Sequence, residues 1–151
     1  MLDDFRKKVC DMINTKIYKA VYNLSEKLMA AAEKEDRVAF DRLYAELEAV
    51  CAEHENTPKD HPEQWETLAD FTEDLADAVV VYQKALDKAI AMNSKDHMSS
   101  IAFSMAKLQV ELNDKGSAIK NLQAAKISAN KIEDKELKTE IDELLESLLM
   151  A

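Results

Sequence analysis

The stretch IAFSMAKLQVELNDKGSAIKNLQAAKISA (101–129) contains two helical patterns separated by one turn-forming segment. In the first half, apolar residues step by threes and fours, which is the spacing of one helix face. These residues are Ile101, Met105, Leu108 and Leu112. NDKGS (113–117) then holds the chain's single glycine, which suits the positive φ of a helix end or turn. The second half predicts a helix over Ala118 to Ala129, with Ile119, Leu122 and Ile127 turned inward.

The composition of all 151 residues favours helices along the whole chain. One glycine and two prolines are too few for an ordinary β-protein, because strands and hairpins need such residues to connect them. Abundant Ala, Leu, Lys and Glu favour helices. We therefore predict a single all-helical domain over residues 1–151, in which antiparallel helical hairpins stack as a superhelix or as a compact bundle.

The same spacing predicts helices elsewhere along the chain. A long N-terminal helix ends near Glu33, with an apolar stripe at Leu2, Phe5, Val9, Ile13, Ile17, Val21, Leu24 and Leu28. Asp36 caps a second helix, whose predicted inward residues are Val38, Leu43, Leu47, Val50 and Cys51. Asp60 or His61 caps a third, with Pro62 in its first position. The last helix covers Leu137 to Leu149, with Ile141, Leu144 and Leu148 inward.

The segment 101–129 resembles a tetratricopeptide repeat in the placement of its small residues. Ala106 on the first helix would face Ala118 at the start of the second, and Leu122 would fill the space beside them. Alanines recur at similar places upstream, Ala39 and Ala78, at spacings of 39 and 40 residues. The family's usual aromatic positions are Ala102 and Gln109 here, and its closing proline is Asn130. A tetratricopeptide-like array and an unrelated helical bundle both remain open.

An acidic stretch, EQWETLADFTEDLAD (63–77), raises a second structural question. Glu66, Asp70, Glu73 and Asp77 would form one acidic stripe if the helix were continuous, although such like-charge pairs cost about 0.2–0.5 kcal/mol each. A strict repeat would instead place a turn near Thr72, with Thr72 as the N-cap. The absence of a helix-breaking residue from 63 to 92 favours the continuous helix. On that interpretation the stripe is either a solvated face that keeps the protein soluble or a docking surface for a basic protein.

The charge balance narrows the class of partner. The net charge is −10, and the segment from Glu33 to Asp77 contains fifteen acidic and four basic residues. Nucleic acid and anionic membrane surfaces both attract basic proteins, so we expect neither as a partner. No apolar run approaches the roughly 20 residues needed to cross a bilayer, and Cys10 and Cys51 form no disulfide-rich pattern. The sequence therefore predicts a cytoplasmic protein.

Three functional hypotheses follow. The first is a non-enzymatic adaptor that binds a protein or peptide, and the resemblance implies a groove exposing Phe103, Lys107 and Val110. The second is an acidic inhibitor or immunity-type protein that neutralises a basic toxin or nuclease. The third, a metal enzyme using Cys51, His54 and His61, has ligand types but no recognisable spacing, so we expect no cofactor and no metal. The segment ELLESLLMA (143–151) is apolar enough either to cap the stack or to form a homodimer contact.

Overall fold

The computed structural model describes the backbone of residues 2–150 and the side chains of residues 16–150. These residues form seven α-helices and no strand, so the predicted all-α class is confirmed. The helices are α1 (Leu2–Glu33), α2 (Arg37–His54), α3 (Pro62–Asp70), α4 (Leu75–Ala91), α5 (Lys95–Glu111), α6 (Lys115–Ala129) and α7 (Lys135–Met150). Within this described part, no helix has the length and apolar content needed to cross a membrane.

The helices belong to two compact units, residues 1–71 and 72–151. In the first unit, α1 packs against α2, and both contact α3. In the second, each helix from α4 to α7 packs against the next one in sequence. Neighbour packing of this kind is what short connections between helices produce. The prediction that residues 1–151 form a single domain stays a prediction.

The core of the first unit follows the predicted stripe of α1. Its inward residues are Ile17, Val21, Leu24, Leu28 and Ala31. The inward positions expected at Leu2, Phe5, Val9 and Ile13 lie outside the residues whose side chains are described. On α2, Leu43, Leu47 and Cys51 are buried as predicted, and Val50 is half-buried. Val38 was predicted inward but is 81% exposed, and Phe40 is buried in its place.

The core of the second unit is built largely from alanines. Ala118, Leu122, Ala125 and Ala129 form the buried face of α6, whereas Ile119 is only half-buried and Ile127 is 69% exposed. The inward prediction for Ile127 is therefore wrong. Small side chains let two helices approach closely, so alanines can occupy the contact while larger residues remain outside. On α7, Ile141 and Leu145 are buried, and the predicted Leu144 and Leu148 are half-buried.

Three of the connections between helices share one backbone geometry. In each, one residue adopts a positive φ and the residue after it is the N-cap of the next helix; the pairs are Glu35–Asp36, Asn93–Ser94 and Asn113–Asp114. The N-cap N–H donates back to a carbonyl five residues earlier, at distances of 2.9, 3.0 and 2.8 Å respectively. This is the hydrogen bond of a Schellman motif, which satisfies carbonyls left unpaired at a helix end.

The chain's single glycine does not form any of these turns. Gly116 lies in the first turn of α6 and its φ is not positive. The expectation that it supplies the left-handed turn of NDKGS is therefore wrong. Asn113 does so, with φ of 61°. Asparagine is the non-glycine residue that tolerates this region best, since its short polar side chain makes local hydrogen bonds.

The connection between α2 and α3 is held by Asp60. One carboxylate oxygen accepts the indole N–H of Trp65 at 2.8 Å, and the other accepts the backbone N–H of Asn56 at 2.8 Å. Trp65 is thereby buried with its N–H satisfied. Asp60 was one of two N-cap candidates, but His61 is the N-cap, and Pro62 occupies the first helical position as predicted.

Candidate functional site

The acidic stretch 63–77 is divided between two helices. α3 ends at Asp70 and α4 begins at Leu75, so the favoured prediction of one continuous helix is wrong. The N-cap of α4 is Asp74 rather than Thr72, and its carboxylate accepts the backbone N–H of Asp77 at 2.9 Å. A side-chain cap of this kind satisfies a donor that the helix leaves unpaired. The Asp74 cap thus begins a second helix at Leu75, and the connection from α3 contains no proline or glycine.

The four predicted carboxylates consequently differ in their surroundings. Glu66 is half-buried on α3, and Asp70 is exposed at the end of that helix. Glu73 is exposed between the helices, and Asp77 is exposed in the first turn of α4. An acid in a first turn interacts favourably with the positive end of the helix dipole. Asp77 therefore has a structural role, and the four residues do not form a stripe along one helix.

The predicted groove residues lie on α5. Phe103 was expected to be exposed, but its side chain is only 7% exposed. The ammonium nitrogen of Lys107 lies 4.7 Å from the centre of the Phe103 ring, which is within the range of a cation–π interaction. Lys107 is exposed and Val110 is half-buried. Of the three residues, Lys107 and Val110 are therefore the ones that a partner can reach directly.

Two further positions on α5 show how the hairpin with α6 is joined. Ala102 and Gln109, which replace the aromatic residues of the tetratricopeptide pattern, are both buried. The side-chain oxygen of Gln109 accepts a hydrogen bond from the amide of Asn121 on α6 at 2.8 Å. A buried polar group without a partner would be costly, and this bond avoids that cost for the Gln109 oxygen. The two helices are thus joined by a polar contact as well as by alanine packing.

The thiol of Cys51 and one ring nitrogen of His61 take part in hydrogen bonds near α3. The thiol of Cys51 is fully buried and donates to the carbonyl oxygen of Gln64 at 3.3 Å. Nδ1 of His61 accepts the backbone N–H of Glu63 at 3.1 Å, which is the N-cap contact of α3. Nδ1 must be unprotonated to accept this bond. Cys51 and His61 therefore serve the junction between α2 and α3.

Gln64 carries an unsatisfied polar atom in the same region. Its side-chain N–H group donates to the carbonyl of Lys59 at 3.0 Å, whereas its oxygen is buried and accepts no hydrogen bond. Rotating the amide by half a turn would place oxygen against oxygen at Lys59, so the orientation is fixed by that contact.

A surface on α1 presents large apolar side chains that the sequence analysis did not single out. Tyr18, Tyr22 and Met29 are 53%, 53% and 54% exposed. Spacings of four and seven residues place them on one face of the helix. Ser25 separates Tyr22 from Met29, and its hydroxyl donates to the carbonyl of Tyr22 at 2.8 Å. We call these three residues, with Ser25 between them, the α1 face.

A shallow depression lies at the C-terminal end of the α1 face. Its lining residues are Glu26, Met29, Ala30, Ala32, Glu33 and Phe71. The Phe71 ring packs edge-on against Phe40, with 6.4 Å between ring centres and an interplanar angle of 63°. Edge-to-face packing is a favourable aromatic arrangement, so one wall of the depression is a fixed ring. The lining of the depression thus combines apolar side chains with two carboxylates.

The α1 face also includes a hydrogen-bonded tyrosine. The Tyr22 hydroxyl donates to the Glu26 carboxylate, and this bond raises the pKa of Tyr22 above its ordinary value. The negative charge of Glu26 raises that pKa further, because it disfavours the phenolate. The bond links Tyr22 to one of the two carboxylates that line the depression.

No relative was found. No protein-family model matches the chain. Comparison with curated proteins gave no match, and comparison with solved structures gave none either. The functional proposals below therefore depend on the geometry of the chain's own residues.

The α1 face was missed because its spacing is hidden beside a stronger pattern. The core stripe at Val21, Leu24 and Leu28 interleaves with Tyr18, Tyr22 and Met29 in sequence. A helical projection separates the two sets by roughly 100°, which is too large for both to face one core. That second apolar set is the signal that could have identified the surface.

Proposed function

We propose that this chain is a non-enzymatic protein-interaction module, built as a tetratricopeptide-like stack of helical hairpins, that binds a protein or peptide in the cytosol. The observation that carries the proposal is the α5–α6 hairpin. Ala106 and Ala118 are both fully buried, and the connection between the helices is only three residues long. Close approach of paired helices through small residues is the feature on which the resemblance depends.

The repeated connection supports an array rather than a single hairpin. The turns at Glu35, Asn93 and Asn113 have the same positive φ, the same backward hydrogen bond and an N-cap in the next position. Repeat proteins use one supersecondary unit several times and vary its exposed residues for binding. A repeated local geometry on different sequences (KED, MNS and LND) fits that principle.

The resemblance implies a binding surface formed by the first helix of each hairpin. In the α5–α6 hairpin, the first helix is α5. Lys107 is held over the ring of Phe103, so less side-chain entropy is lost when its ammonium group pairs with a partner's carboxylate. Val110, half-buried nearby in sequence, adds an apolar contact. The chemistry available at this surface is therefore recognition of a peptide with an acidic and an apolar residue.

Affinity capture with matched variants tests the proposal. The immobilised chain is exposed to an extract of its native organism, and the captured proteins are compared between wild type, Lys107→Glu with Val110→Asp, and Lys120→Glu. Lys120 is exposed on α6, so its reversal is the charge control. We expect the double variant to lose partners that the control retains. Equal capture by all three proteins, each with wild-type circular dichroism, would remove α5 as the binding surface.

The acidic-inhibitor hypothesis remains a second candidate because Asp70, Glu73 and Asp77 are exposed. Association driven by such charges should weaken steeply with salt, since the screening length falls from about 10 Å at 0.1 M to about 3 Å at 1 M. Repeating the capture at 0.1 and 1 M salt separates the two functions. Loss of every partner at 1 M would favour the inhibitor, and retention would favour the hairpin surface.

A further inference from the structure

The α1 face carries large apolar side chains that are exposed to solvent. Tyr18, Tyr22 and Met29 leave half or more of each side chain in contact with solvent. From Tyr18 to Met29 the face extends about 16 Å at a rise of roughly 1.5 Å per residue. Single exposed apolar residues are ordinary, whereas three on one helix face beside a depression form a candidate interaction surface.

The charges around the depression have a defined spacing. Glu26 and Glu33 are both exposed and seven residues apart on α1, so they point in nearly the same direction, about 10.5 Å from each other. Met29 and Ala30 lie between them, and Phe71 closes one side. The arrangement is an apolar centre with a carboxylate before and after it along the helix.

We propose that the α1 face docks one amphipathic basic helix of a partner protein, whose apolar side chain enters the depression while two of its Lys or Arg residues pair with Glu26 and Glu33. A helix lying along α1 places residues i and i+7 about 10.5 Å apart, which matches the two carboxylates. Its residues i+3 and i+4 fall between them on the same side and supply the apolar contact. The tyrosines extend the contact by one to two further turns.

Charge complementarity selects this occupant over other surfaces that carry apolar groups. The lining of the depression includes Glu26 and Glu33 and no basic residue, so lipid and nucleic acid phosphates would be repelled at that point, whereas Lys19 and Lys27 are exposed elsewhere on α1. A peptide with acidic flanks would place like charges opposite these carboxylates, which costs affinity. The inference rests on the proposed function as an interaction module, but it uses residues that the α5 surface does not.

A pair of designed peptides provides the probe. The first is an 18-residue helix of Leu and Lys with Leu on one face, labelled for fluorescence anisotropy; the second has Glu in place of every Lys. Binding of each to the full chain is measured at 0.15 M salt, where exposed charges more than about 8 Å apart are largely screened. We expect the Lys peptide to bind and the Glu peptide not to bind.

Two matched pairs of variants separate docking from general attraction. Glu26→Lys with Glu33→Lys is compared with Glu46→Lys and Glu53→Lys, which are also exposed, seven residues apart, and on α2. Met29→Glu is compared with Val38→Glu, which introduces the same charge at another exposed apolar residue. Met29→Glu adds a negative charge, so a purely electrostatic contact would become tighter. Circular dichroism and the unfolding midpoint verify that each variant is folded.

We expect Met29→Glu and the Glu26–Glu33 reversal each to weaken binding of the Lys peptide by about tenfold or more. The two control variants should stay within about twofold of wild type. Equal weakening by the α2 reversal would show general acidity, and unchanged or tighter binding by Met29→Glu would show that no apolar residue is docked. Either result overturns the inference, as does failure of the Lys peptide to bind.

The same measurements distinguish this inference from the proposed function and from self-association. If Lys107→Glu with Val110→Asp abolishes capture of partners while the α1 variants change nothing, the α5 proposal stands and the α1 proposal falls. A concentration-dependent increase in mass by sedimentation, lost on Met29→Glu, would show that a second copy of the chain covers the face. That outcome would also overturn the proposal of a basic partner helix.

Discussion

Replacing Gly116 by alanine should stabilise the protein. Gly116 lies in the first turn of α6, is exposed, and has a φ that any residue can adopt. A Cβ placed on it meets no atom within 4 Å. Alanine therefore fits the folded state without strain and reduces the conformational freedom of the unfolded chain.

The expected gain is about 0.5 kcal/mol. Glycine costs roughly 1 kcal/mol relative to alanine in the interior of a helix, and compatible Gly→Ala substitutions yield about 0.4–1 kcal/mol. The lower half of that range applies because Gly116 is the second residue of its helix, where few hydrogen bonds depend on it. For a chain of this length the gain corresponds to about 1–2 °C in Tm.

Asn113 provides the contrasting variant, because it holds the position that needs a positive φ. In Asn113→Ala, a residue whose side chain cannot make a local hydrogen bond has to adopt a φ of 61°. We expect the substitution to lower the free energy of unfolding by about 1 kcal/mol. Asn113→Gly is its control and should remain within about 0.5 kcal/mol of wild type. Each variant should change the midpoint of urea unfolding, followed by circular dichroism, without changing its slope.

The signs of the two stability changes show which residue forms the turn between α5 and α6. If glycine formed the turn, Gly116→Ala would destabilise and Asn113→Ala would be neutral or stabilising. That pair of results would refute the account of the α5–α6 connection given above. A neutral Gly116→Ala would show that the first turn of α6 is not formed as described.

Three further predictions concern the packing, the caps and the α1 face. Ala118→Leu should destabilise by about 1–3 kcal/mol in urea unfolding, since it overpacks a fully buried position, whereas Ala124→Leu at an exposed position of the same helix should change stability by less than about 0.5 kcal/mol. Asp74→Ala should cost about 1 kcal/mol and Asp74→Asn much less, because the N-cap oxygen is kept; on a continuous helix alanine would instead stabilise. Tyr22 should ionise at higher pH than an ordinary tyrosine in absorbance titration, and Glu26→Gln should lower that pKa toward its ordinary value. Because the folded-state pKa is raised, the stabilisation from this hydrogen bond is present below about pH 10 and is lost as the pH rises through the folded-state value.

The helices themselves could be predicted because their signals are local. Apolar spacing identified α1, the cap at Asp36 identified the start of α2, and Pro62 identified the first position of α3. In each case the residues within one or two helical turns determine the outcome, and a single sequence contains them.

The division between α3 and α4 could not be predicted from helix breakers, because the chain uses none there. Asp74 begins α4 by accepting the backbone N–H of Asp77, whereas an aspartate on the surface of a helix makes no such cap. Whether such a residue caps a helix or lies along it depends on which neighbouring side chains find a core. Tertiary packing determines which of the two occurs, and the spacing of charges in the sequence contains no information about that packing.

The buried faces were predicted less well where alanine forms the core. Counting large apolar residues placed Ile127 inside, whereas the small residues Ala125 and Ala129 are buried and Ile127 is outside. Transfer free energies favour burying isoleucine, but close approach of two helices excludes it. The exposed residues Tyr18, Tyr22 and Met29 were missed for the related reason that apolar content was assigned to the interior.

The sequential packing of the helices has a consequence for synthesis on the ribosome. In the second unit each helix from α5 onward contacts the one made just before it. Every new segment that leaves the exit tunnel therefore finds its packing surface already available, and closing the contact requires a loop of only a few residues. Such a nascent chain never has to wait for a distant C-terminal piece before it can bury an apolar face. An interruption after α6 would accordingly leave a chain that lacks only the α6–α7 contact of this unit.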